Sequence, residues 1–187
     1  MTERLICAGF GGQGVLLLGQ LLAYSCMHDG KNVTWMPAYG TEMRGGTANC
    51  GVIISEDEIG CPVVSCMDTL IAMNLPSLER FQNRVTDQGH IVFNSSLIRE
   101  SEIPELKDIS VIGIPANDIA ISLGDHKVAN MVMLGAYLFV KGIVPSETVN
   151  RSMQSMFGQS KAHMIDLNIR AIERGFETAS KIGYKIN

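Results

Sequence analysis

Short runs of Val, Ile, Leu and Met, each closed by Gly, Pro, Asn or Ser, alternate along the chain with longer segments whose apolar residues recur at helical spacing. The pattern predicts strands over residues 5–8, 32–36, 69–73, 89–93 and 109–114, with a further apolar run over 47–55. Helices are expected over 15–27, 76–84, 118–122, 125–141, from 145 onward, and over 161–181. Residues 57–62 read as a hairpin-like turn leading into 63–65. Three strands lead into a polar turn and then a helix signal, at Asn74 with Pro76 behind it, at Asn94-Ser95-Ser96, and at Pro115-Ala116-Asn117-Asp118. Continuously apolar strands are buried on both faces, and the helices between them supply the cover. The fold class expected is α/β, a single domain over residues 1–187. It is a three-layer α/β/α arrangement with a mostly parallel sheet, in which 47–55 is the candidate antiparallel strand. The helix over 15–27 starts apolar nearly all round, with Leu16, Leu17, Leu18, Leu21 and Leu22. It needs cover from the sheet on one side and from a second subunit on the other.

Between the first strand and the first helix stands Gly9-Phe10-Gly11-Gly12-Gln13-Gly14, a Rossmann-like glycine turn. Glycines let the chain turn tightly and bring backbone N–H groups, at the positive end of a helix, up to an anion. Gly9, Gly11 and Gly14 have dinucleotide-binding spacing, but that motif also needs an acidic residue about 20 residues on, at the end of the second strand. The second strand reads Asn32-Val33-Thr34-Trp35-Met36 and meets Pro37 without an Asp or Glu, which disfavours nicotinamide and flavin.

Ligands of open α/β sheets sit beyond the carboxyl ends of the strands. There the glycine turn would meet Asn74, Asn94, Asn117 and the segment 37–46, a long glycine-rich loop carrying Tyr39, Glu42 and Arg44. Glu42 and Arg44 are either an ion pair that orders the loop or contacts to a ligand. Asn and Gly also collect at turns for conformational reasons alone. The set offers donors and amides but no Ser/His/Asp or Cys/His arrangement. That pattern binds and positions an anion, and it suits an accessory subunit better than a self-contained enzyme.

Composition narrows the picture further. Hydrophobic residues make up 46% of the chain and charged residues 18%, with a net charge of −4. So little charge implies surface covered by partners, and no basic stripe is present for nucleic acid. Met1-Thr2-Glu3-Arg4 leads directly into the first strand, without the regions of a signal peptide, so a cytoplasmic location is expected. The longest apolar stretches are broken by Gln20, Asn130 and Gly135, so no membrane span is expected. The five cysteines contain no C-x-x-C pair, and Cys61 and Cys66 lack the further ligands of an iron–sulfur motif. They read as soft core residues, and His28, His90, His126 and His163 read as structural.

The glycine turn, Pro37-Ala38-Tyr39-Gly40-Thr41-Glu42-Met43-Arg44-Gly45-Gly46-Thr47-Ala48-Asn49-Cys50, Ala72-Met73-Asn74-Leu75-Pro76-Ser77-Leu78 and Lys127-Val128-Ala129-Asn130-Met131 together resemble the gamma subunit of the 2-oxoacid:ferredoxin oxidoreductases. The segment 42–50 resembles most the branch assigned to 2-oxoglutarate, with branched-chain oxoacids next. Ala38 stands where relatives more often carry Ser, and Thr41 where they often carry Pro. The resemblance implies one subunit of an assembly that decarboxylates a 2-oxoacid, releases an acyl-CoA and reduces ferredoxin. Thiamine diphosphate and magnesium would be held by alpha and beta subunits, and iron–sulfur clusters by beta or a ferredoxin-like delta subunit. Coenzyme A would lie near the glycine turn. The site residues expected are then Gly9, Gly11, Gly12, Gln13, Gly14, Tyr39, Glu42, Arg44, Asn74 and Asn94, with no catalytic base or nucleophile and no metal ligand. Gly11 to Gly14 would face a phosphate, Arg44 would add a charge-assisted contact, and Tyr39 and Glu42 would shape the loop against the catalytic subunits. Competing readings are a nucleotide-binding accessory subunit of another redox complex, a branched-chain or pyruvate-type oxoacid oxidoreductase subunit, and a homodimer when the chain is isolated.

Overall fold

The computed structural model describes residues 1–39, 46–106, 108–157, 162–183 and 185–186. The strands are β1 (Thr2–Phe10), β2 (Asn32–Tyr39), β3 (Thr47–Ser55), β4 (Met67–Ala72), β5 (Val85–Asn94), β6 (Ser110–Ile114) and β7 (Lys185–Ile186). The helices are α1 (Val15–His28), α2 (Leu75–Phe81), α3 (Ala116–Leu123), α4 (Ala129–Lys141), α5 (Ser146–Phe157) and α6 (Ala162–Ile182). One sheet has the order β2-β3-β1-β4-β5-β6-β7. β1, β4, β5 and β6 are parallel neighbours. β3 runs against β1 and β2 runs against β3, so β2 points the same way as β1. The sheet is therefore mostly parallel, with 47–55 reversed as expected. The connection from β2 to β3 is far shorter than the dozen or more residues of a parallel crossover, so the chain has to return antiparallel.

Pro37 was expected to end the second strand, yet β2 continues to Tyr39. The bond from Gly11 N–H to Gly46 C=O, at 2.9 Å, extends the β1–β3 ladder and assigns the even residues of β3 to β1. The odd ones then bond to the even residues of β2, and Pro37 faces the open edge, where a missing N–H costs nothing.

No α-helix follows β5 among the described residues of 95–109, which contain a 3₁₀ turn at Glu100–Glu102. Pro104 interrupts the segment, and Ile98, Ile103 and Leu106 pack against the sheet from an irregular path. The run 63–65 likewise forms no strand. Helical cover is consequently unequal. One face carries α1, α4, α5 and α6 over Leu5, Cys7, Val52, Ile54, Ile71, Val92 and Ile112. The other face, with Ile6, Ala8, Leu70, Ile91 and Phe93, has α2 and irregular segments. α1 is covered by β2 and β3 on one side and by α5 and α4 on the other, so its second cover comes from the same chain. Cys7, Cys26 and Cys50 are in the core, whereas Cys61 and Cys66 are exposed.

At the amino ends of the strands, Glu3 is 1% exposed. Its Oε2 lies 2.8 Å from Lys141 Nζ, and its Oε1 accepts from Thr69 Oγ1 at 2.6 Å. His90, paired with Thr69 between β4 and β5, is half-buried, and burial together with the charge of Lys141 pushes its pKa down. The folded protein therefore binds fewer protons at His90 than the unfolded chain does, and stability is lost as pH falls through and below the usual histidine range, about 6.5. His90→Gln should flatten this acid limb, seen as a smaller drop in urea midpoint between pH 7.5 and pH 5.5 than in the wild type.

α4 and α6 cross closely enough that a Cβ on Gly135 would fall on the Ile172 carbonyl, and one on Gly175 on the Val132 carbonyl. Backbone atoms cannot yield as a flexible side chain does. Alanine gains about 1 kcal/mol in helix propensity and loses about 1–3 kcal/mol to overpacking. Gly135→Ala and Gly175→Ala should each come out destabilised in urea unfolding, whereas alanine at an open helical glycine would stabilise.

Candidate functional site at the carboxyl edge of the sheet

β1 delivers Gly9 to the carboxyl edge, and the turn that follows is held by its own groups. Gln13 N–H donates to the Phe10 carbonyl at 3.1 Å, and Gly11 N–H to Gly46 at 2.9 Å. Gly9 has no room for a side chain: a Cβ there would stand 2.8 Å from Gln13 Oε1 and 2.9 Å from Val15 Cγ1. Gly12 and Gly14 have φ of 97° and 73°, the left-handed region that glycine enters without strain. Gly14 is the N-cap of α1, makes no side-chain capping bond, and no acidic residue stands in the first turn. With the Gly11 and Gln13 backbone amides paired and the Leu18 N–H bonded to the Gly14 carbonyl at 3.0 Å, the backbone donors left at the turn among the described residues are the N–H groups of Gly12, Gly14, Val15, Leu16 and Leu17.

Buried carboxamides tie this turn to its neighbours. Asn74 is 5% exposed; its Nδ2 donates to Gln13 Oε1 at 2.7 Å, and its Oδ1 accepts the Ser77 N–H at 3.0 Å, capping α2. Asn94 is fully buried with its amide wholly used. Nδ2 donates to Asn117 Oδ1 at 2.7 Å and to the Met73 carbonyl at 3.4 Å, and Oδ1 accepts from Ala116 at 3.2 Å and Ser96 at 3.3 Å. Asn130, at the start of α4, donates to the Gly14 carbonyl at 3.0 Å. The N-termini of α1, α2, α3 and α4 are thus gathered by groups that do not titrate.

Of the expected site residues, the structure brings Gly9, Gly11, Gly12, Gln13, Gly14 and Asn74 together. Asn94 stands two strands away, turned into the fold. Tyr39 ends β2, and Glu42 and Arg44 lie outside the described residues. Asn130 was not counted as a site residue, although a lone amide in the apolar run 128–140 was its signal. β3 stands between β1 and β2, so the end of β2, where a dinucleotide fold keeps its ribose acid, is removed from the turn by one strand. A cavity of about 670 Å³ lies elsewhere, beside β6, lined by Phe93, Ile103, Val111, Pro115 and Ile182 and by none of the turn residues. Among the described residues no cluster of three His, Cys, Asp or Glu could hold a metal ion, and no helix is long and apolar enough to cross a membrane.

The family model described as pyruvate ferredoxin/flavodoxin oxidoreductase matches residues 4–178. The chain belongs to this family. It is 39% identical over 178 residues to the ketoisovalerate oxidoreductase subunit VorA of Methanothermobacter thermautotrophicus, covering 94% of this chain and 36% of that protein. It is 28% identical to the 2-oxoglutarate synthase subunit KorC of Methanocaldococcus jannaschii, covering 97% of this chain and 96% of KorC. The chain thus spans about a third of VorA and nearly all of KorC. Among solved structures, the gamma subunit of a keto/oxoacid ferredoxin oxidoreductase from Geobacter sulfurreducens superposes with a TM-score of 0.81 at 26% identity, covering 96% of this chain and 99% of that one.

A methyl group at Gly14 meets two penalties, left-handed backbone and the Asn130 carboxamide, whereas one at Gly12 has nothing within 4 Å and meets only the first. Gly14→Ala should cost about 2–3 kcal/mol and Gly12→Ala about 1 kcal/mol, compared by denaturant unfolding of the two variants.

Proposed function

We propose that the chain is the gamma subunit of a cytoplasmic 2-oxoacid:ferredoxin oxidoreductase and that its glycine turn receives a phosphate of coenzyme A. The carrying observation is an α1 N-terminus left without side-chain cap or nearby acid, approached by glycines, in a chain of this family. The turn has donors and no nucleophile or base, so the chain's part is to bind and orient the acyl acceptor. Thiamine diphosphate, magnesium and iron–sulfur clusters fall to alpha, beta and delta-type partners, with ferredoxin as electron acceptor. Identity to a ketoisovalerate oxidoreductase subunit, 39% against 28–35% for 2-oxoglutarate synthase subunits, supports a branched-chain 2-oxoacid as substrate. The 2-oxoglutarate reading is favoured by the match to KorC along 96% of that subunit.

Anoxic isolation of the chain with its partners, followed by assay of coenzyme A-dependent oxidation of ketoisovalerate, 2-oxoglutarate and pyruvate, decides the matter. Partners with thiamine diphosphate and clusters, active on one oxoacid, sustain the reading; unrelated partners remove it. Arg44→Ala in that assembly should raise the KM for coenzyme A about tenfold, as expected for loss of a charge-assisted bond. If neither this KM nor the salt sensitivity of assembly changes, Arg44 has no such role.

A further inference from the structure

The oxygen of Gln13 is held from two sides, and this decides where its nitrogen is left. Oε1 accepts the Phe10 backbone N–H at 2.7 Å and Asn74 Nδ2 at 2.7 Å. A backbone amide can only donate, so the atom it meets has to be the carboxamide oxygen. Asn74 is oriented by the same logic: its Oδ1 accepts the Ser77 backbone N–H, and Nδ2 is what remains to face Gln13. Each end of this amide pair is therefore fixed by a backbone donor, and Gly9 provides the space in which Oε1 sits. With both lone pairs of Oε1 used, Gln13 keeps Nε2 and its two N–H groups for a ligand.

We propose that Gln13 Nε2 donates to a phosphate oxygen of the bound anion, and that Asn74 is the positioning residue that keeps a donor rather than an acceptor toward it. The inference rests on the coenzyme A reading above. An unrestrained carboxamide could turn its oxygen to the anion; with the oxygen tied back, the donor is preorganised before the ligand arrives.

Gln13→Glu separates this role from a structural one. A carboxylate still accepts from Phe10 and Asn74, so the turn and the Tm are kept, while the group left for the ligand becomes an anionic oxygen. In the complex with its partner subunits, the KM for coenzyme A should rise about tenfold or more with kcat held within about twofold. Asn74→Asp keeps the α2 cap but sets an acceptor against Gln13 Oε1, so Gln13 either opposes two oxygens or gives up its Phe10 bond and turns its oxygen outward, and Nε2 loses its fixed place in both cases. The same KM rise is expected from the displaced donor and the added charge together; in a Gln13→Ala background only the charge acts, so Asn74→Asp should raise KM clearly less there than in the wild type. An unchanged KM in Gln13→Glu, a fall in kcat alone, or an additive effect of Asn74→Asp overturns the inference. Should Gln13→Glu fail to assemble, the Asn74→Asp and Gln13→Ala pair decides by itself. A wild-type complex whose oxoacid oxidation shows no dependence on coenzyme A overturns the underlying reading instead.

Discussion

β1 has to satisfy a neighbour running each way. It bonds to antiparallel β3 along one edge and to parallel β4 along the other, and it is buried on both faces. A strand so enclosed has no freedom of register: a slip of one residue would break both ladders and exchange its two sets of core side chains. The glycine turn inherits that rigidity, because Gly11 continues the β1–β3 ladder to Gly46 before the chain enters α1. What stands at the carboxyl edge is therefore placed by the centre of the sheet rather than by a free loop. The same insertion of β3 takes the edge that β2 occupies in dinucleotide-binding folds, which accounts for a glycine spacing without its acidic partner.

The linkage among the helix starts is made by carboxamides. A carboxamide carries both donor and acceptor, so the links made by Gln13, Asn74, Asn94, Asn117 and Asn130 are formed without burying charge. A carboxylate in the Asn74 position could cap α2 but would place negative charge beside the turn. An ammonium could not accept from Ser77 at all. Amides meet the demands of capping and of a neutral, donor-presenting edge together, and their geometry does not change with pH. A buried carboxylate with its ammonium partner stands instead toward the opposite end of the strands, where Lys141 meets Glu3 and its charge reaches His90.

The order and type of most elements were legible in the sequence because apolar period and turn residues agreed there. Asn74 ahead of Pro76 announced α2, and Gly142 the end of α4, both for local reasons. The failures were of tertiary origin. Pro37 ended the expected second strand, since an open edge that tolerates proline is a property of the sheet and not of the local residues. The turn after β5 carried the same signal as the others, but Pro104 and the packing of Ile98 and Ile103 make an irregular cover instead of a helix. β7 is two residues long, too short to leave a pattern. In the site, the glycines could be read from sequence because their conformational demand is local. The roles of Asn74, Asn94 and Asn130 could not, because a buried amide that braces a turn and an exposed amide that meets a ligand are spelled alike.

A site made of donors without a nucleophile is incomplete by its chemistry, and the lengths of the relatives bear on how it is completed. The chain matches KorC nearly end to end, yet only about a third of VorA. One unit of the same size thus occurs nearly alone in one relative and within a longer chain in another. A unit that recurs in both settings has to hold its carboxyl edge with bonds of its own. The twofold pairing of β1 and the amide links among the helix starts hold that edge from within the chain, with the Gly12 and Gly14 N–H groups left at the turn among the described residues.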